Sequence, residues 1–302
     1  MNGLSIRTFL GANTPNGFYS LYSPFQEGMI NYIIKGGPGT GKSGIMKKVA
    51  AEALQREYFT EYCYCSSDAN SLDGVRIPEK NLIVADGTAP HRMDPLFPGA
   101  EGGIVNTGQC WNETMLQKSA EDIKQLNTQA KRCFSECYHY LSAAGSTGSE
   151  IRSVARRNLD KKRLNHFTDG LIRRNLSRSE SGSGQIYARF LTGITPQGVI
   201  VFRDTIYTLC RKVFVLRDRY GIAPLILNRI TEAAVELGHE IYVFYNPFFP
   251  SEPEHIAIPS ADLAFATSDR LHNFEPQNAY SINLSRFYLE SFENEIKRLR
   301  FA

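Results

Sequence analysis

The stretch YIIKGGPGTGKSGIMKKV, residues 32–49, decides the fold. It contains the pattern G-x-x-x-x-G-K-S, which runs from Gly36 to Ser43. A short apolar run rich in β-branched residues, 30–34, precedes this pattern, and apolar residues at helical spacing follow it. We therefore expect a strand, a glycine-rich loop and a helix that begins where the loop ends.

This order is typical of a P-loop, which binds phosphate. Glycines let successive backbone N–H groups curl around phosphate oxygens, and the helix N-terminus adds partial positive charge. In such a loop Lys42 reaches the β- and γ-phosphates and the Ser43 hydroxyl ligates Mg²⁺. The flanking strand and helix weaken the alternative, a glycine-rich turn that happens to contain Lys-Ser. The predicted nucleotide-binding residues are Gly36, Gly37, Pro38, Gly39, Thr40, Gly41, Lys42, Ser43 and Gly44.

A second Mg²⁺ ligand is expected in KNLIVADG, residues 80–87. Its apolar run is typical of a buried parallel strand, and Asp86 follows at the carboxyl end, where open α/β sheets bind ligands. The alternative is an aspartate that only starts a turn before Gly87. Because the next residue is glycine, the chain lacks the adjacent glutamate of many hydrolytic P-loop ATPases. We therefore expect slow hydrolysis.

Two further residues are candidates for catalysis. Asp68 lies in the polar loop of FTEYCYCSSDANSLDGVRIPE, residues 59–79, where a carboxylate can orient an acceptor hydroxyl or a water. Turn chemistry explains S-S-D and L-D-G equally well. His91 follows Asp86 closely and is a candidate contact to substrate or γ-phosphate, or an ordinary loop histidine. The predicted catalytic residues are thus Lys42, Asp68, Asp86 and His91, and the predicted metal ligands are Ser43 and Asp86.

Composition limits the function classes. The chain has 302 residues, 42% of them hydrophobic, which is enough for one large domain or two small ones with real cores. A net charge of +3 is too small to imply nucleic acid by itself, and we expect nucleic acid not to be the partner. No apolar run approaches a membrane span, and the N-terminal residues lack a signal-peptide core. The six cysteines show no standard zinc or redox spacing. We expect a cytoplasmic protein with reduced thiols and no membrane partner.

The sequence repeats with an offset of 181 residues. FLGANTPNG, residues 9–17, falls on FLTGITPQG, residues 190–198, and we expect this register to hold without a gap from Phe9 to His91. In both stretches the Thr-Pro pair predicts a helix start, with Thr14 and Thr195 as N-caps. After a four-residue deletion, SINL near the C-terminus repeats IVNT. The repeat predicts two similar halves.

In this register the second half has lost the phosphate-binding residues. The junction VFVLRDRYGIAPLILNRI, residues 213–230, places Ala223 and Pro224 where the first half has Lys42 and Ser43, and Thr267 replaces Asp86. Asp218 and Tyr220 fall on glycines. We therefore expect no nucleotide in the second half, although Arg217 and Arg219 are able to hold a phosphate or an acidic partner.

A helical hairpin is expected between the halves. Apolar residues at helical spacing predict one amphipathic helix over 112–144 and a second, basic helix over 149–176, followed by a flexible connector at 178–185. Three roles stay open for the hairpin: a lid that carries an arginine to the phosphates, a nucleic-acid surface, or a solvated surface. The candidate arginines are Arg156, Arg157, Arg173 and Arg174.

The combination of KGGPGTGKS, CSSDANSLDGVRIP and DGTAPH, preceded by T-P-N-G-F-Y-S, resembles a family of bacterial tandem P-loop ATPases that are also labelled as possible nucleotide kinases. The resemblance is strong over residues 9–112 and weaker over 186–290. It implies ATP as the nucleotide, and it makes the Ser66–Gly74 loop and Gly87–His91 stronger candidates for function. The second copy in that family commonly keeps a P-loop, which this chain does not.

Together these observations predict an α/β protein of the P-loop NTPase fold, with parallel sheets flanked by helices, a pseudo-duplication and an inserted helical hairpin. The predicted domains are 1–111 for nucleotide binding, 112–185 for the hairpin and connector, and 186–302 for the degenerate copy. The leading function is Mg²⁺-dependent ATP binding with slow or partner-stimulated hydrolysis. A small-molecule or nucleotide kinase and a nucleotide-gated binding protein are the alternatives. The second partner, a small molecule or a protein, is left open.

Overall fold

The structure, a computed structural model, describes residues 3–22, 25, 28–88, 93–95, 97–180, 182, 184–269, 271–274, 280–292 and 295. It is a mixed α/β protein. Contacts within the chain divide it into two units, each described separately below. The first comprises 1–142 with 193–200, and the second comprises 143–192 with 201–302.

The first unit is built on a six-stranded sheet with the order β1-β5-β6-β7-β4-β8. Neighbouring strands are parallel except at β6, which is antiparallel to both β5 and β7. The prediction of a parallel sheet therefore holds for only part of the sheet. The strands in the first half are β1 (Ser5–Phe9), β2 (Gly11–Thr14), β3 (Gly17–Ser20), β4 (Ile30–Lys35), β5 (Thr60–Tyr64), β6 (Leu72–Ile77), β7 (Leu82–Asp86) and β8 (Gly102–Asn106).

The second unit has a six-stranded sheet with the same order, β9-β13-β14-β15-β12-β16, and the same antiparallel exception at β14. The two sheet-helix halves are therefore similar, as the repeat predicts. The strands in the second half are β9 (Ile186–Arg189), β10 (Thr192–Thr195), β11 (Gly198–Val201), β12 (Lys212–Arg217), β13 (Ile241–Asn246), β14 (Phe249–Ile258), β15 (Leu263–Ser268) and β16 (Tyr280–Asn283).

The predicted ungapped register is wrong at one strand. Ile34 on β4 pairs with Asp86, whereas Leu216 on β12 pairs with Thr267, the counterpart of Asp86. The structural counterpart of Ile34 is thus Leu216, one residue later than Val215, which the ungapped register gives. Apolar residues run continuously along both strands, so the pattern of hydrophobic residues does not fix the register there.

This shift shortens the second junction. The first loop spans residues 36–41 between β4 and the helix that follows, and the second spans 218–222. The helices themselves keep the offset of 181, since α1 begins at Lys42 and its counterpart begins at Ala223. The residue lost lies within the loop that binds phosphate in a P-loop.

The Thr-Pro-x-Gly stretches do not start helices. They are the turns of two β-hairpins, β2–β3 and β10–β11. The Thr14 hydroxyl donates to the Gly17 carbonyl at 2.6 Å and accepts from the Asn16 N–H at 3.2 Å, so it serves its own turn instead of a helix. Gly17 has φ 98°, which favours glycine, and Thr195 and its turn repeat the same arrangement.

The long helix of the inserted segment extends beyond residue 144, where the sequence predicts its end. The break expected between 144 and 149 is absent, because α3 runs without interruption from Ala120 to Arg157. Gly148 does not break the helix; its missing Cβ leaves room for the Phe249 ring, which a built Cβ would approach to 3.1 Å. The helices are α1 (Lys42–Gln55), α2 (Glu113–Lys118), α3 (Ala120–Arg157), α4 (Lys161–Asn175), α5 (Asp204–Leu209) and α6 (Ala223–Glu236). Among the described residues, no helix has both the length and the apolar character that crossing a membrane requires.

Packing on both faces of the first sheet fixes the end of β4. Ile33 and Ile34 are successive strand residues, so their side chains point to opposite faces, and both are fully buried. Ile33 packs in a cluster with Leu10 and Ile83, and Ile34 packs with Met46 of α1. The strand between these two cores ends at Lys35, directly before the glycine-rich loop.

Candidate functional site

The loop between β4 and α1 contains two glycines in the left-handed conformation. Gly39 has φ 79° and Gly41 has φ 84°. A Cβ built on either residue meets no atom within 4 Å, so the backbone conformation, and not a lack of space, is what requires glycine here. These positions let the chain close a compact loop directly before the helix.

Gly36 is required for a different reason. A Cβ at this position would lie 2.0 Å from the hydroxyl oxygen of Thr107. That hydroxyl lies 2.9 Å from the carbonyl oxygen of Lys35 and 3.0 Å from the hydroxyl of Thr40, which donates to the Gly37 carbonyl. Thr107, which directly follows β8, therefore stabilises the loop through its side-chain hydroxyl.

Lys42, the first residue of α1, folds back over the loop. Its ammonium donates to the carbonyls of Gly36 and Gly37, each at 2.9 Å, and lies 3.6 Å from Asp86 Oδ2. The side chain is nearly buried. A cation is therefore held inside the loop, next to the end of the neighbouring strand β7.

The start of α1 carries no capping side chain among the residues that the structure describes, and its first turn contains no acidic residue. Its N-cap is Gly41, which has no side chain to offer. The first backbone N–H groups of a helix have no partner within the helix, and they give this end partial positive charge. The loop and the helix start together favour an anion.

Ser43 and Asp86, the predicted metal ligands, both lie at this end of the sheet. The Ser43 hydroxyl accepts a hydrogen bond from the Leu72 N–H at 3.0 Å, which leaves its proton and a lone pair available. Asp86 Oδ1 accepts from the N–H and the hydroxyl of Thr88, and Oδ2 faces Lys42. A hydroxyl and a carboxylate are oxygen ligands of the kind that Mg²⁺ prefers.

The structure explains why glycine follows Asp86. A Cβ built on Gly87 would lie 2.2 Å from Cγ2 of Ile33 and 2.8 Å from the Met93 carbonyl oxygen. The Gly87 carbonyl in turn accepts from Lys35 at 2.9 Å. A glutamate at position 87 does not fit without a rearrangement of this part of the core.

The two remaining catalytic candidates are not placed at the loop by the structure. Asp68 is exposed and forms a turn: its carboxylate accepts from the Asn70 N–H at 3.1 Å and from the Ser71 hydroxyl at 2.5 Å. This is the turn chemistry that the sequence offers as the alternative. His91 lies outside the described residues.

Sequence reasoning missed Thr107 and Trp111. Trp111 is half-exposed, and its ring lies 3.3 Å from the Cβ position of Gly37 and 3.4 Å from that of Gly108. The only tryptophan of the chain therefore packs against the glycine-rich loop. The signal available in the sequence was the position of both residues just after the strand GGIVN, whose carboxyl end reaches the same edge of the sheet.

Comparison with protein-family models, with curated proteins and with solved structures finds no match for this chain. The interpretation of the site therefore depends on its geometry and its motif. The residues present fit a phosphate anion, since the compact loop, the uncapped helix start and the buried lysine all favour negative charge at one point.

The junction of the second half holds a carboxylate of its own. Asp218, the residue after β12, accepts from the N–H groups of Tyr220 at 3.1 Å, Gly221 at 2.9 Å and Ala223 at 2.6 Å. Ala223 is the first residue of α6. The backbone donors that a P-loop offers to phosphate are thus bonded here to a side chain of the same chain.

Asp218 is buried, and burial raises its pKa, although the three N–H donors and the Arg152 guanidinium act in the opposite direction. Arg152 is itself bonded to Glu252, and burial lowers its pKa. A cavity of about 190 Å³ lies next to this junction. Tyr220 and Pro224 line it, and Pro224 occupies the position of Ser43 in the first half.

The four candidate arginines of the helical segment all lie in the second unit. Arg156 bonds to Glu252 at 2.6 Å, and Arg157 lies 3.7 Å from both Glu150 and Glu295. Arg173 and Arg174 are exposed in the last turn of α4. Arg156 and Arg157 therefore take part in ion pairs within their own unit.

Proposed function

We propose that this chain is a P-loop protein that binds MgATP through the loop from Gly36 to Ser43. The observation that carries the proposal is the buried Lys42 ammonium, which lies inside a glycine-dependent loop at the uncapped start of a helix. In the structure this ammonium bonds to the carbonyls of Gly36 and Gly37. Phosphate oxygens are stronger acceptors for a cation than neutral carbonyls, so we expect Lys42 to exchange one set for the other.

Each residue of the loop has a defined task in this proposal. Gly39 and Gly41 permit the backbone conformation, and the N–H groups at the start of α1 bind the phosphates. Lys42 binds the β- and γ-phosphates. Ser43 and Asp86 hold Mg²⁺, which neutralises phosphate charge. The resemblance to the tandem ATPases supports ATP as the nucleotide.

Hydrolysis is expected to be slow. The closely packed Gly87 leaves no room for a catalytic glutamate beside Asp86. Asp68, the other carboxylate that the sequence predicts as catalytic, is engaged in its own turn. A base from the substrate or from a partner would be needed for fast turnover.

One observation favours a coupled function over hydrolysis alone. The segment before β6 is attached to α1 at two points: Leu72 N–H donates to the Ser43 hydroxyl at 3.0 Å, and Lys47 donates to the Asn70 carbonyl at 2.6 Å. Any ligand that engages Ser43 therefore acts directly on this segment. In a kinase the segment holds the acceptor, and in a nucleotide-gated protein it changes its presentation to a partner.

Replacing Lys42 with alanine tests the proposal. We expect the affinity for MgATP to fall at least tenfold, about 1.4 kcal/mol, because the cation on the phosphates is lost. Titration calorimetry measures the affinity, and the fluorescence of Trp111, which packs on the loop, gives a second signal. Lys48→Ala, an exposed residue of the same helix, is the matched control and keeps full affinity.

Equal affinity in Lys42→Ala and the parent chain would contradict the site. The type of function is then separated by a phosphate-release assay with and without candidate acceptors. ATP-dependent modification of an acceptor indicates a kinase, phosphate release alone indicates an ATPase, and binding without turnover indicates a nucleotide-gated protein.

A further inference from the structure

The second unit contains a buried group of metal-ligating side chains, Glu254, His255 and His272. One ligand atom from each lies within 4.8 Å of the others, and all three residues are buried. His255 Nε2 lies 3.3 Å from Glu254 Oε2, and His272 Nε2 lies 3.5 Å from Glu254 Oε1. Ligand atoms around a tetrahedral zinc ion, each about 2.0–2.1 Å from the metal, lie about 3.3–3.4 Å apart.

A β-bulge brings the first two ligands together. Glu254 and His255 are consecutive residues of β14, and consecutive strand residues ordinarily point to opposite faces. Here Phe244 pairs with His255 and Tyr245 pairs with Pro253, so Glu254 has no partner in the ladder. Bulges of this kind redirect a side chain and are common next to functional sites.

One atom in the group lacks a well-formed hydrogen bond. His255 Nε2 is fully buried, and its close polar contact among the described residues is Glu254 Oε2 at 3.3 Å, which does not form a hydrogen bond of good geometry. Buried polar atoms almost always have a hydrogen-bond partner, and a bound ion is one recognised explanation for an exception. The atom points toward the other two ligand atoms, and so toward a shared ligand.

The surrounding residues orient the other ligands as they do in metal sites. His272 Nδ1 lies 2.8 Å from Asp269 Oδ1, which directs the proton to Nδ1 and leaves Nε2 toward the group. Asn246 donates to Glu254 Oε1 at 2.6 Å. The Thr192 hydroxyl lies 2.7 Å from Glu254 and 2.9 Å from His272 Nε2, where a fourth ligand would approach.

We propose that Glu254, His255 and His272 bind a transition-metal dication of the zinc type. Two imidazoles and one carboxylate suit zinc, cobalt or ferrous iron better than Mg²⁺ or Ca²⁺, which prefer oxygen ligands. The site does not depend on the nucleotide proposal, because all three ligands belong to the second unit. In the first half, Gly74 and Gly11 occupy the positions of His255 and Thr192.

Binding has an identifiable cost. The Thr267 N–H donates to His255 Nδ1 at 3.0 Å, so the neutral ring carries its proton on Nε2, and that proton must leave before the nitrogen can bind a metal. When the proton moves to Nδ1, the Thr267 N–H loses its acceptor and faces the Nδ1–H, so two buried donors are left unsatisfied. Three metal–ligand bonds must exceed this cost.

Metal loading of the purified full chain tests the site. The three exposed cysteines, Cys110, Cys133 and Cys137, are first replaced with serine, so that they do not bind metal themselves. After chelator treatment the protein is titrated with Co²⁺ and then with Zn²⁺. We expect one metal per chain, a tetrahedral Co²⁺ visible spectrum without thiolate charge-transfer bands, and a higher melting temperature with Zn²⁺.

Variants then assign the ligands. We expect His272→Gln and His255→Gln to lose the stoichiometric metal, and Asp269→Asn, a positioning residue, to bind about 10- to 100-fold more weakly with the same spectrum. His239→Gln is the matched control: His239 is also buried in this unit, but it bonds to Ser260 and Ser177 outside the group, so metal binding persists.

Absence of stoichiometric metal in the parent chain, or unchanged binding in the two ligand variants, overturns the proposal. MgATP binding in the first half and the far-ultraviolet circular dichroism spectrum report whether each variant is folded. If a ligand variant does not fold, the parent chain decides: a cobalt spectrum with thiolate bands, or no thermal shift with Zn²⁺, contradicts the site.

Discussion

The two strand-to-helix junctions of this chain differ in the groups that lie at the partial positive charge of the helix N-terminus. At α1 the helix start has no capping side chain among the described residues, and the nearby charge is the cation of Lys42. At α6 the backbone N–H groups are bonded to the carboxylate of Asp218. A helix N-terminus that favours an anion can take it from solution or from its own chain. In the second case the anion cannot leave.

A second comparison concerns the bulges of the antiparallel strands. In the first half Cys63 pairs with Gly74 and Tyr64 pairs with Leu72, so the bulge falls at Asp73. Asp73 is the counterpart of Glu254, and its carboxylate accepts from the Tyr22 hydroxyl at 2.7 Å. Both halves therefore carry a buried acidic residue at the same bulge. Only the second half adds His255 beside it.

The two halves thus differ in the chemical groups that occupy equivalent positions. The first half has the lysine, hydroxyl and carboxylate of the proposed phosphate site and a glycine beside its bulge. The second half has the Asp218 carboxylate at the equivalent junction and two imidazoles beside its bulge. The scaffold of sheet order, hairpins and helix positions is common to both.

The largest expected effect comes from removing the internal anion. Asp218→Ala leaves three backbone N–H groups without their acceptor and removes one of the carboxylates near Arg152, so we expect a loss of about 3 kcal/mol in the free energy of unfolding. Denaturant titration measures the loss, and hydrogen exchange at the Tyr220, Gly221 and Ala223 amides localises it. The matched control is Asp160→Ala, which removes the N-cap of α4 and costs about 1 kcal/mol.

If Asp218→Ala lost no more stability than Asp160→Ala, the carboxylate would not be acting as a substitute for phosphate. Inorganic phosphate sharpens the comparison. Added to the alanine variant, it should restore part of the stability, and it should have no such effect on the parent chain.

A smaller effect is expected from glycines of the first junction. Gly36→Ala places a methyl group 2.0 Å from the Thr107 hydroxyl, and we expect overpacking to cost about 1–3 kcal/mol. MgATP affinity should fall as well, since the methyl group displaces the Thr107 hydroxyl that contacts the loop. Gly44→Ala is the control: its Cβ meets no atom within 4 Å, and alanine in a helix is favoured over glycine by about 1 kcal/mol. Equal melting temperatures for the two variants would contradict the close contact with Thr107.

The sequence predicted the repeated architecture because hydrophobic runs and turn residues recur at a fixed offset. The strand, loop and helix around Gly36–Ser43 lie where the motif indicates, and Asp86 ends the neighbouring strand. These features depend on local sequence, which carries its own signal.

Other features depended on contacts that local sequence does not contain. Thr14 served a hairpin because its partner, Gly17, closes a turn that a Thr-Pro pair does not exclude. Gly148 did not end the helix because the space beside it is filled by Phe249, a residue far along the chain. The bulge at Glu254 is invisible in sequence, since it is defined by the strand opposite.

The register of β12 shows the same limit. Its run of buried apolar residues is compatible with either of two offsets, and only the pairing with β15 and β16 selects one. The consequence is chemical, because the shift makes the second loop one residue shorter. A loop that is one residue shorter, with one glycine where the first loop has four, has less backbone with which to surround a triphosphate.

The smallest expected effect is at Arg217 and Arg219, the two cations of the second junction. Arg217 donates to the Ser281 hydroxyl at 2.7 Å, and the Arg219 guanidinium lies 5.5 Å from the centre of the Tyr220 ring. A triphosphate at this junction would meet the buried carboxylate of Asp218, whose bonds to the backbone it cannot displace without leaving a charge unpaired. Calorimetry should therefore give one MgATP per chain. The double variant Arg217→Ala, Arg219→Ala should keep that stoichiometry and the same affinity, whereas Lys42→Ala should weaken the single site at least tenfold. Two sites in the parent chain, with the weaker one lost in the double arginine variant, would show that the second junction binds phosphate through its side chains and that Asp218 does not close it.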